Sequence, residues 1–273
     1  MKLALCNEVI REMDFHAQCD FAAKLGYDGL ELAPFTLDEN PHRLPPGRRA
    51  ELRRAAADAG IAITGLHWLL ITPKGLSINS PEALVRKETV AVIRGLIQLC
   101  SDLGGKVLVH GSPKQRSVAD GDSHEEAWKR TCETFAAVAG DAQAAGLVYC
   151  IEPLPLRETN FINSIAEAVK LVEAIHNPAF LTMIDCRAAS FESLPTPELI
   201  DRWLPTGKVA HVHFNDQNGR APGQGETRFE PIVAALRRQK YEGIIGVEPF
   251  EYVPDGPSSA ARAIGYIRGI MDR

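Results

Sequence analysis

Short apolar runs alternate with longer amphipathic segments along the whole chain. The runs are almost continuously apolar and do not alternate apolar with polar positions, as a half-exposed strand does. This pattern is typical of parallel strands that are buried on both faces. The eight predicted strands are Leu3–Cys6, Gly29–Leu32, Ala62–Leu66, Lys106–Val109, Val148–Ile151, Leu181–Ile184, Val209–His213 and Ile244–Val247.

The segments between these runs carry apolar residues at helical spacing. Gly26, Gly60, Gly104 and Gly146 stand at or near their ends, where a residue in the left-handed conformation commonly ends a helix. The eight predicted helices are Phe15–Leu25, Arg48–Ala59, Ala83–Leu103, Glu125–Ala145, Ile165–Ile175, Pro197–Trp203, Glu230–Arg238 and Ser258–Met271.

Strand–helix units that recur at a spacing of roughly 30 residues favour a closed barrel over an open sheet. We therefore predict an α/β fold, a (β/α)8 or TIM barrel, that occupies residues 1–273 as a single domain. A doubly wound open sheet is the alternative at this point. The long connections 69–81 and 111–123 follow the third and fourth predicted strands, and long loops in that position usually cover an active site.

Composition and charge exclude only a few classes of function. Hydrophobic residues make up 45% of the chain and charged residues 24%, as in ordinary globular proteins. The formal net charge is −5 and no basic block is present, which argues against a nucleic-acid partner. The first apolar run is too short for a secretory signal, and no apolar stretch has the length of a membrane span. The six cysteines are scattered, so we expect reduced thiols in a cytoplasmic protein that has no membrane partner.

Carboxylates and imidazoles stand at the ends of the predicted strands. The carboxyl ends of barrel strands converge on one mouth, so these side chains are expected to lie close together. Isolated charges would be costly there, and binding a shared cation would offset that cost. The strand-end residues are Glu31, His67, His110, Glu152, Asp185, His213 and Glu248.

Four of these residues make a plausible ligand set. Glu152 and Glu248 each precede a proline, and Asp185 and His213 belong to the strands between them. Three carboxylates and one imidazole suit Mn²⁺, Mg²⁺ or Co²⁺ better than a thiolate zinc site does. We expect positions to stay open for water or substrate.

The other strand-end residues have more than one interpretation. Glu31 is either a metal ligand or a salt-bridge partner, and the sequence favours neither. His67 and His110 are expected to form hydrogen bonds in the pocket rather than to bind the ion. Trp68, next to His67, is a candidate for an apolar wall beside the site.

Five stretches carry the most specific motifs of the chain: Glu152–Leu154, Glu158–Phe161, His211–His213, Arg220–Gly225 and Gly246–Phe250. They resemble the xylose-isomerase-like barrel superfamily, in its branch of sugar isomerases and ketose 3-epimerases. The resemblance extends along nearly the whole chain.

The resemblance implies a metal centre. In ketose 3-epimerases a Glu-Asp-His-Glu quartet binds Mn²⁺ or a similar ion, and its two glutamates also act as acid and base. By resemblance the metal ligands are Glu152, Asp185, His213 and Glu248, and the catalytic residues are Glu152 and Glu248. This assignment depends mainly on the resemblance. It implies one divalent ion, most simply Mn²⁺, with Mg²⁺ or Co²⁺ as alternatives.

The resemblance also implies a small-molecule sugar substrate. Glu158 resembles a glutamate near the terminal hydroxyl of the substrate. His211 and Arg220 resemble the residues that support the metal histidine and contact substrate oxygens. Dimers and tetramers are common among similar enzymes, so a homo-oligomer is an option here. The predicted substrate-binding residues are Glu158, His211, Arg220, His67, His110 and Trp68.

Two departures from the epimerases fall in the predicted substrate pocket. The epimerases have a histidine three residues after the metal aspartate, and here this position is Ala188. Arg220 falls seven residues after His213, one later than in the epimerases. We therefore expect a modified, oxidised or phosphorylated sugar to be a better substrate than free fructose or psicose. Arg187 either supplies the missing donor or is a surface residue.

Several reactions fit this interpretation. The leading one is isomerisation or epimerisation of a sugar through an enediolate, formed when a proton is removed next to a carbonyl. A metal-dependent lyase or dehydratase that acts on a keto-sugar or keto-inositol needs the same enolate and is the alternative. A non-catalytic sugar-binding barrel is the third option. The apurinic-site endonucleases of the superfamily fit poorly, because they have a histidine at position 188 and an Asp-x-His pair that is missing from Thr227–Glu230.

Overall fold

Eight parallel strands close into a barrel in a computed structural model that describes residues 1–272. The strands follow one another around the barrel in chain order, and the first pairs with both the second and the eighth. This closure confirms the TIM barrel and rules out the doubly wound sheet. The strands are β1 (Lys2–Cys6), β2 (Gly29–Leu32), β3 (Ala62–Leu66), β4 (Val107–His110), β5 (Val148–Ile151), β6 (Phe180–Asp185), β7 (Val209–Phe214) and β8 (Ile244–Val247).

Helices surround the barrel, and their bounds lie within two residues of those predicted. The short helix α6 and four 3-10 segments were not predicted. None of the helices in the described part of the chain is long and apolar enough to cross a membrane. The helices are α1 (Phe15–Leu25), α2 (Pro46–Asp58), α3 (Ala83–Leu103), α4 (His124–Ala144), α5 (Ile165–Ile175), α6 (Cys186–Ala189), α7 (Thr196–Trp203), α8 (Phe229–Arg238) and α9 (Gly256–Met271).

Local signals in the sequence explain where the helices begin and end. The Asp14 side chain accepts a hydrogen bond from the Ala17 amide at 2.9 Å and so caps the start of α1. Gly26 ends the same helix with a φ of 88°, and Gly104 ends α3 with a φ of 85°. Both are left-handed conformations that glycine adopts without steric cost, as the sequence predicted.

The core has two layers because successive strand residues point to opposite faces. On the outer face of β5, Tyr149 packs between the barrel and α4, with ring centroids 5.5 Å from Phe135 and 5.9 Å from Phe180. The next residue, Cys150, belongs to a separate buried cluster inside the barrel. That inner cluster consists of Val107, Val109, Cys150 and Met183.

All six cysteines are free thiols, and only Cys132 is more than marginally exposed. This agrees with the expectation of reduced thiols. Burial raises the pKa of Cys19 and of Cys100 to about 12, which keeps both groups in the thiol form.

Candidate active site

A cavity of about 320 Å³ opens at the C-terminal mouth of the barrel. It lies where the strand-end rule predicted a site, and its size is typical of small-molecule pockets. The loop 111–123 contributes Gly111 and Pro113 to its wall, and Trp68 directly precedes the loop 69–81. The lining residues are Trp68, Gly111, Pro113, Glu152, Leu154, Glu158, Arg187, Glu248 and Phe250.

Three side chains from adjacent strands form a compact group of potential ligands beside this cavity. Asp185 of β6, His213 of β7 and Glu248 after β8 each offer an atom within 4.8 Å of the other two. The strand register accounts for the grouping, because Asp185 pairs with His213, and His213 pairs with Gly246 two residues before Glu248. All three side chains are buried.

Glu152 is the fourth predicted ligand and lies outside that compact group. It follows β5 directly and lines the same cavity as Glu248, with 5% of its surface exposed. The cavity therefore has a buried carboxylate from Glu152 and another from Glu248. A Cβ on Gly111 would lie 1.8 Å from Glu152 Oε2, so only glycine leaves room for this carboxylate.

The site holds more negative than positive charge. Burial, followed by Asp185 and Glu248, raises the pKa of Glu152 well above its usual value. Burial, followed by Glu248, raises the pKa of Asp185 to about 6. Both shifts mean that nearby positive groups only partly offset the negative charge of the ionised carboxylates. A divalent cation would supply the missing charge, so this donor set fits a hard metal ion.

His213 is held between two carboxylates. Its Nδ1 lies 2.9 Å from Glu248 Oε2, and its Nε2 lies 3.0 Å from Glu31 Oε1. Burial disfavours the imidazolium, but Glu248 and Glu31 outweigh it and raise the pKa of His213 well above its usual value.

Glu31 acts in this structure as a hydrogen-bond partner of two histidines. Its other oxygen accepts a hydrogen bond from His211 Nε2 at 2.9 Å. Burial alone would raise the pKa of Glu31, but His211 and His213 lower it well below its usual value. An ionised Glu31 fixes the orientation of the His213 ring, as carboxylates commonly do behind metal-binding histidines.

Asn215 supports the compact group although nothing in the sequence analysis singled it out. Its side chain donates hydrogen bonds to Asp185 Oδ2 at 2.6 Å and to the Glu248 carbonyl at 3.1 Å. The other oxygen of Asp185 caps α6 by accepting from the Ala188 amide at 2.6 Å. The available signal was an amide residue directly after β7, in a position where polar groups face the mouth.

Gly246 belongs to one of the motifs, but the sequence analysis gave it no role of its own. A Cβ at this position would lie 2.7 Å from the His213 ring and 3.0 Å from Glu31 Oε2. Glycine inside an apolar strand often marks such a close approach, and this was the available signal.

Comparison with known proteins gives the family. The model of the "Xylose isomerase-like TIM barrel" family matches residues 19–270. The chain belongs to the xylose isomerase-like TIM barrel family.

Curated relatives include the D-psicose 3-epimerase of Ruminiclostridium cellulolyticum, which is 27% identical over 88% of this chain and 79% of that protein. The D-psicose 3-epimerase of Agrobacterium fabrum is 27% identical over 84% of this chain and 76% of that protein. A crystal structure of D-psicose 3-epimerase in the presence of D-fructose superposes with a TM-score of 0.84 over 99% of both chains at 21% identity.

In this xylose isomerase-like barrel, the predicted substrate-binding residues separate into two groups. Trp68 and Glu158 line the cavity. His67, His110, His211 and Arg220 are not among its lining residues. Each of these four has a hydrogen-bond or ionic partner instead, and their role in substrate binding stays a prediction.

Arg220 lies at the surface of the barrel mouth. Its side chain is 40% exposed, and its Nε lies 3.8 Å from Glu251 Oε2. The tight turn after β7, in which the Asp216 amide donates to the Arg220 carbonyl at 2.9 Å, accounts for this position.

His67 and His110 are fully buried. His67 Nε2 donates to Glu8 Oε2 at 2.8 Å, which makes Glu8 a further buried acid near the mouth. His110 Nδ1 lies 2.9 Å from the Tyr149 hydroxyl. Burial, followed by the charge of Arg116, lowers the pKa of His110 well below its usual value and keeps the ring neutral.

Two arginines near the cavity were not given definite roles from the sequence. Arg187 lines the cavity, and its Nη1 donates to Glu158 Oε1 at 2.6 Å. Arg116 is fully buried and donates to the carbonyls of Glu152 and His110. Arg116 therefore ties the loop after β4 to the end of β5.

Proposed function

We propose that this chain is a divalent-metal-dependent sugar epimerase or isomerase of the ketose 3-epimerase type. The observation that carries the proposal is the pair of buried carboxylates, Glu152 and Glu248, that share one cavity beside Asp185 and His213. The curated names of the relatives, D-psicose 3-epimerase in both cases, support the same reaction class.

The residues that would hold the ion are Glu152, Asp185, His213 and Glu248. When bound, a divalent ion supplies positive charge that acidifies the C–H next to a substrate carbonyl. Mn²⁺ is the first choice, and Mg²⁺ or Co²⁺ also suit this oxygen-rich set. Because His213 Nε2 donates to Glu31, Nδ1 is the nitrogen of this ring that would be available to an ion.

Two proton transfers complete the proposed reaction. One of Glu152 and Glu248 removes the proton from the substrate carbon next to the carbonyl, and the electron pair of the broken C–H bond passes into an enediolate. The other glutamate returns a proton to the opposite face of that carbon and inverts it. In the reverse direction the two exchange roles. Relay of the proton to the neighbouring carbon instead gives aldose–ketose isomerisation.

The wall of the cavity supports a carbohydrate as substrate. The rings of Trp68 and Phe250 meet edge to face, with centroids 6.1 Å apart. Aromatic rings offer an apolar surface to the C–H groups of a sugar and limit the access of water to the reacting carbon. Glu158 and Arg187 add polar groups that match hydroxyls.

The test is the mass of the product. Protein that has been stripped with EDTA and reloaded with Mn²⁺ is incubated with ketoses, inososes and 3-keto-glycosides. The proposal predicts a product of the same mass as the substrate, formed only by the reloaded protein. A product lighter by one water would instead indicate the lyase or dehydratase, which the names of the relatives do not favour. The homo-oligomer and the cytoplasmic location stay predictions.

A further inference from the structure

Arg187 contributes the guanidinium of the cavity. It is the basic residue among the lining side chains, where Glu152, Glu158 and Glu248 are acidic. Its side chain keeps 20% of its surface exposed, and Nη1 donates to Glu158 Oε1 at 2.6 Å. Arg220, which the family resemblance assigned to substrate oxygens, lies outside this lining.

The position of Arg187 is fixed by the same groups that hold the potential metal ligands. Its backbone amide donates to Asn215 Oδ1 at 2.8 Å, and Asn215 also donates to Asp185. The guanidinium carbon lies 5.1 Å from the centroid of the Phe250 ring, within the range of a cation–π contact. A side chain held at its base and at its tip loses little further freedom when it binds a ligand.

The pair formed by Arg187 and Glu158 presents both donors and acceptors to the cavity. A guanidinium has five N–H donors, and the pair uses one of them. The Nε of Arg187 is buried and has no hydrogen-bond partner among residues 1–272. The other N–H groups, together with the free oxygen of Glu158, match a sugar hydroxyl pair, in which one hydroxyl accepts and the other donates.

The charge around the pair favours a neutral ligand. Arg187 and a divalent ion together contribute no more positive charge than the carboxylates of Glu152, Glu158, Asp185 and Glu248 contribute negative charge, even when one glutamate is protonated as the acid. No surplus positive charge is left for a phosphate or a carboxylate on the substrate. This differs from the expectation of an oxidised or phosphorylated sugar, which Ala188 had suggested, because Arg187 supplies the donor that was thought to be missing.

We infer that Arg187, paired with Glu158, determines specificity by binding vicinal hydroxyls of a neutral ketose, in place of Arg220. The inference deepens the proposed function and rests on it for the substrate class. It requires binding of the sugar, whereas the proposed function also requires turnover, so the two can fail separately.

The experiment measures equilibrium binding of D-fructose, D-tagatose and D-fructose 6-phosphate to the Mn²⁺-loaded full chain by isothermal titration calorimetry. Arg187→Met keeps an apolar stem against Phe250 but removes the donors, and a hydrogen bond to a charged group is worth about tenfold or more in Kd. Arg187→Met should therefore weaken binding of the neutral ketoses by at least about tenfold, with Arg187→Lys intermediate. Arg220→Met is the matched variant and should stay within about twofold of the wild type.

Several results would overturn the inference. Among the variants, these are an unchanged ketose affinity in Arg187→Met, or a large loss of ketose affinity that occurs in Arg220→Met and not in Arg187→Met. For the wild type, they are tighter binding of D-fructose 6-phosphate than of the neutral ketoses, or no binding of either neutral ketose. Circular dichroism shows whether each variant is folded. If Arg187→Met does not fold, Arg187→Lys and Glu158→Gln test the same pair. Ketose binding without turnover would reject the proposed function and leave this inference intact.

Discussion

Glu31 Oε1 accepts a hydrogen bond from His213 Nε2 at 3.0 Å, so a carboxylate outside the proposed ligand set orients the histidine inside it. Glu31→Gln keeps the shape of the side chain but removes the charge. Removing such a supporting partner typically lowers metal affinity by about 10- to 100-fold, and we expect this for Mn²⁺ measured by calorimetry.

Glu8→Gln is the matched control for Glu31→Gln. Glu8 is also a buried acid bonded to a histidine near the mouth, but its partner is His67 and not a proposed ligand. We expect a change of less than about threefold in Mn²⁺ affinity, because Glu8 makes no direct hydrogen bond to a proposed ligand in the described part of the chain. Equal losses in the two variants would contradict the positioning role of Glu31.

Stabilisation by Mn²⁺ should depend on pH. Burial and the nearby Glu248 raise the pKa of Asp185 to about 6, above its usual value. Below that pH the folded protein holds a proton on Asp185 that the ion must displace, and above it the carboxylate is ionised and free to bind. The rise in Tm on adding Mn²⁺, measured by scanning fluorimetry, should therefore be larger at pH 7.5 than at pH 5. An equal rise at both pH values would show that no carboxylate of this kind binds the ion.

Gly246→Ala should damage the metal site directly. The added Cβ would lie 2.7 Å from the His213 ring, so the ring or the strand must move. Overpacking of this kind costs about 1–3 kcal/mol, and we expect that loss in urea unfolding together with weaker Mn²⁺ binding. The control is Gly265→Ala in α9, where nothing lies within 4 Å of the added atom. Normal Mn²⁺ binding by Gly246→Ala would contradict the proposed role of His213.

Arg116 should contribute strongly to stability without touching the substrate. Arg116→Met leaves the buried Glu152 carbonyl without its donor, and such an unsatisfied group costs about 1–3 kcal/mol, whereas the His110 carbonyl keeps the Glu152 amide at 3.1 Å. Arg94 is a matched control, because its pair with Asp141 is about half exposed. Arg94→Met should lower the free energy of unfolding by less than about 1 kcal/mol. Similar losses in the two variants would show that Arg116 is not a structural tie.

The barrel was predictable from the sequence because buried parallel strands leave a strong signal. Runs such as Val148–Ile151 are continuously apolar and are followed by regular helical spacing. The strand-end rule also predicted that Asp185, His213 and Glu248 would meet, since it depends only on topology. Their roles as ligands stay predictions.

The parts of the site that were missed depend on loop conformation and on packing between distant residues. Arg187 is placed by the short helix α6 after β6 and Arg220 by the turn after β7, and no periodic pattern encodes either segment. The contact of Glu31 with two histidines joins residues that are 180 and 182 positions apart. The sequence left both interpretations of Glu31 open because nothing local distinguishes a ligand from a hydrogen-bond partner.

The most direct test is exchange of carbon-bound hydrogen with solvent. The Mn²⁺-loaded protein is incubated in D₂O with the panel of ketoses, inososes and 3-keto-glycosides, and deuterium next to the carbonyl is followed by NMR. We predict that the wild type incorporates deuterium there as the epimer or isomer forms, and that Glu152→Gln and Glu248→Gln lose at least about 100-fold in rate. An epimer formed without deuterium, or undiminished exchange in both variants, would contradict proton transfer by these two carboxylates.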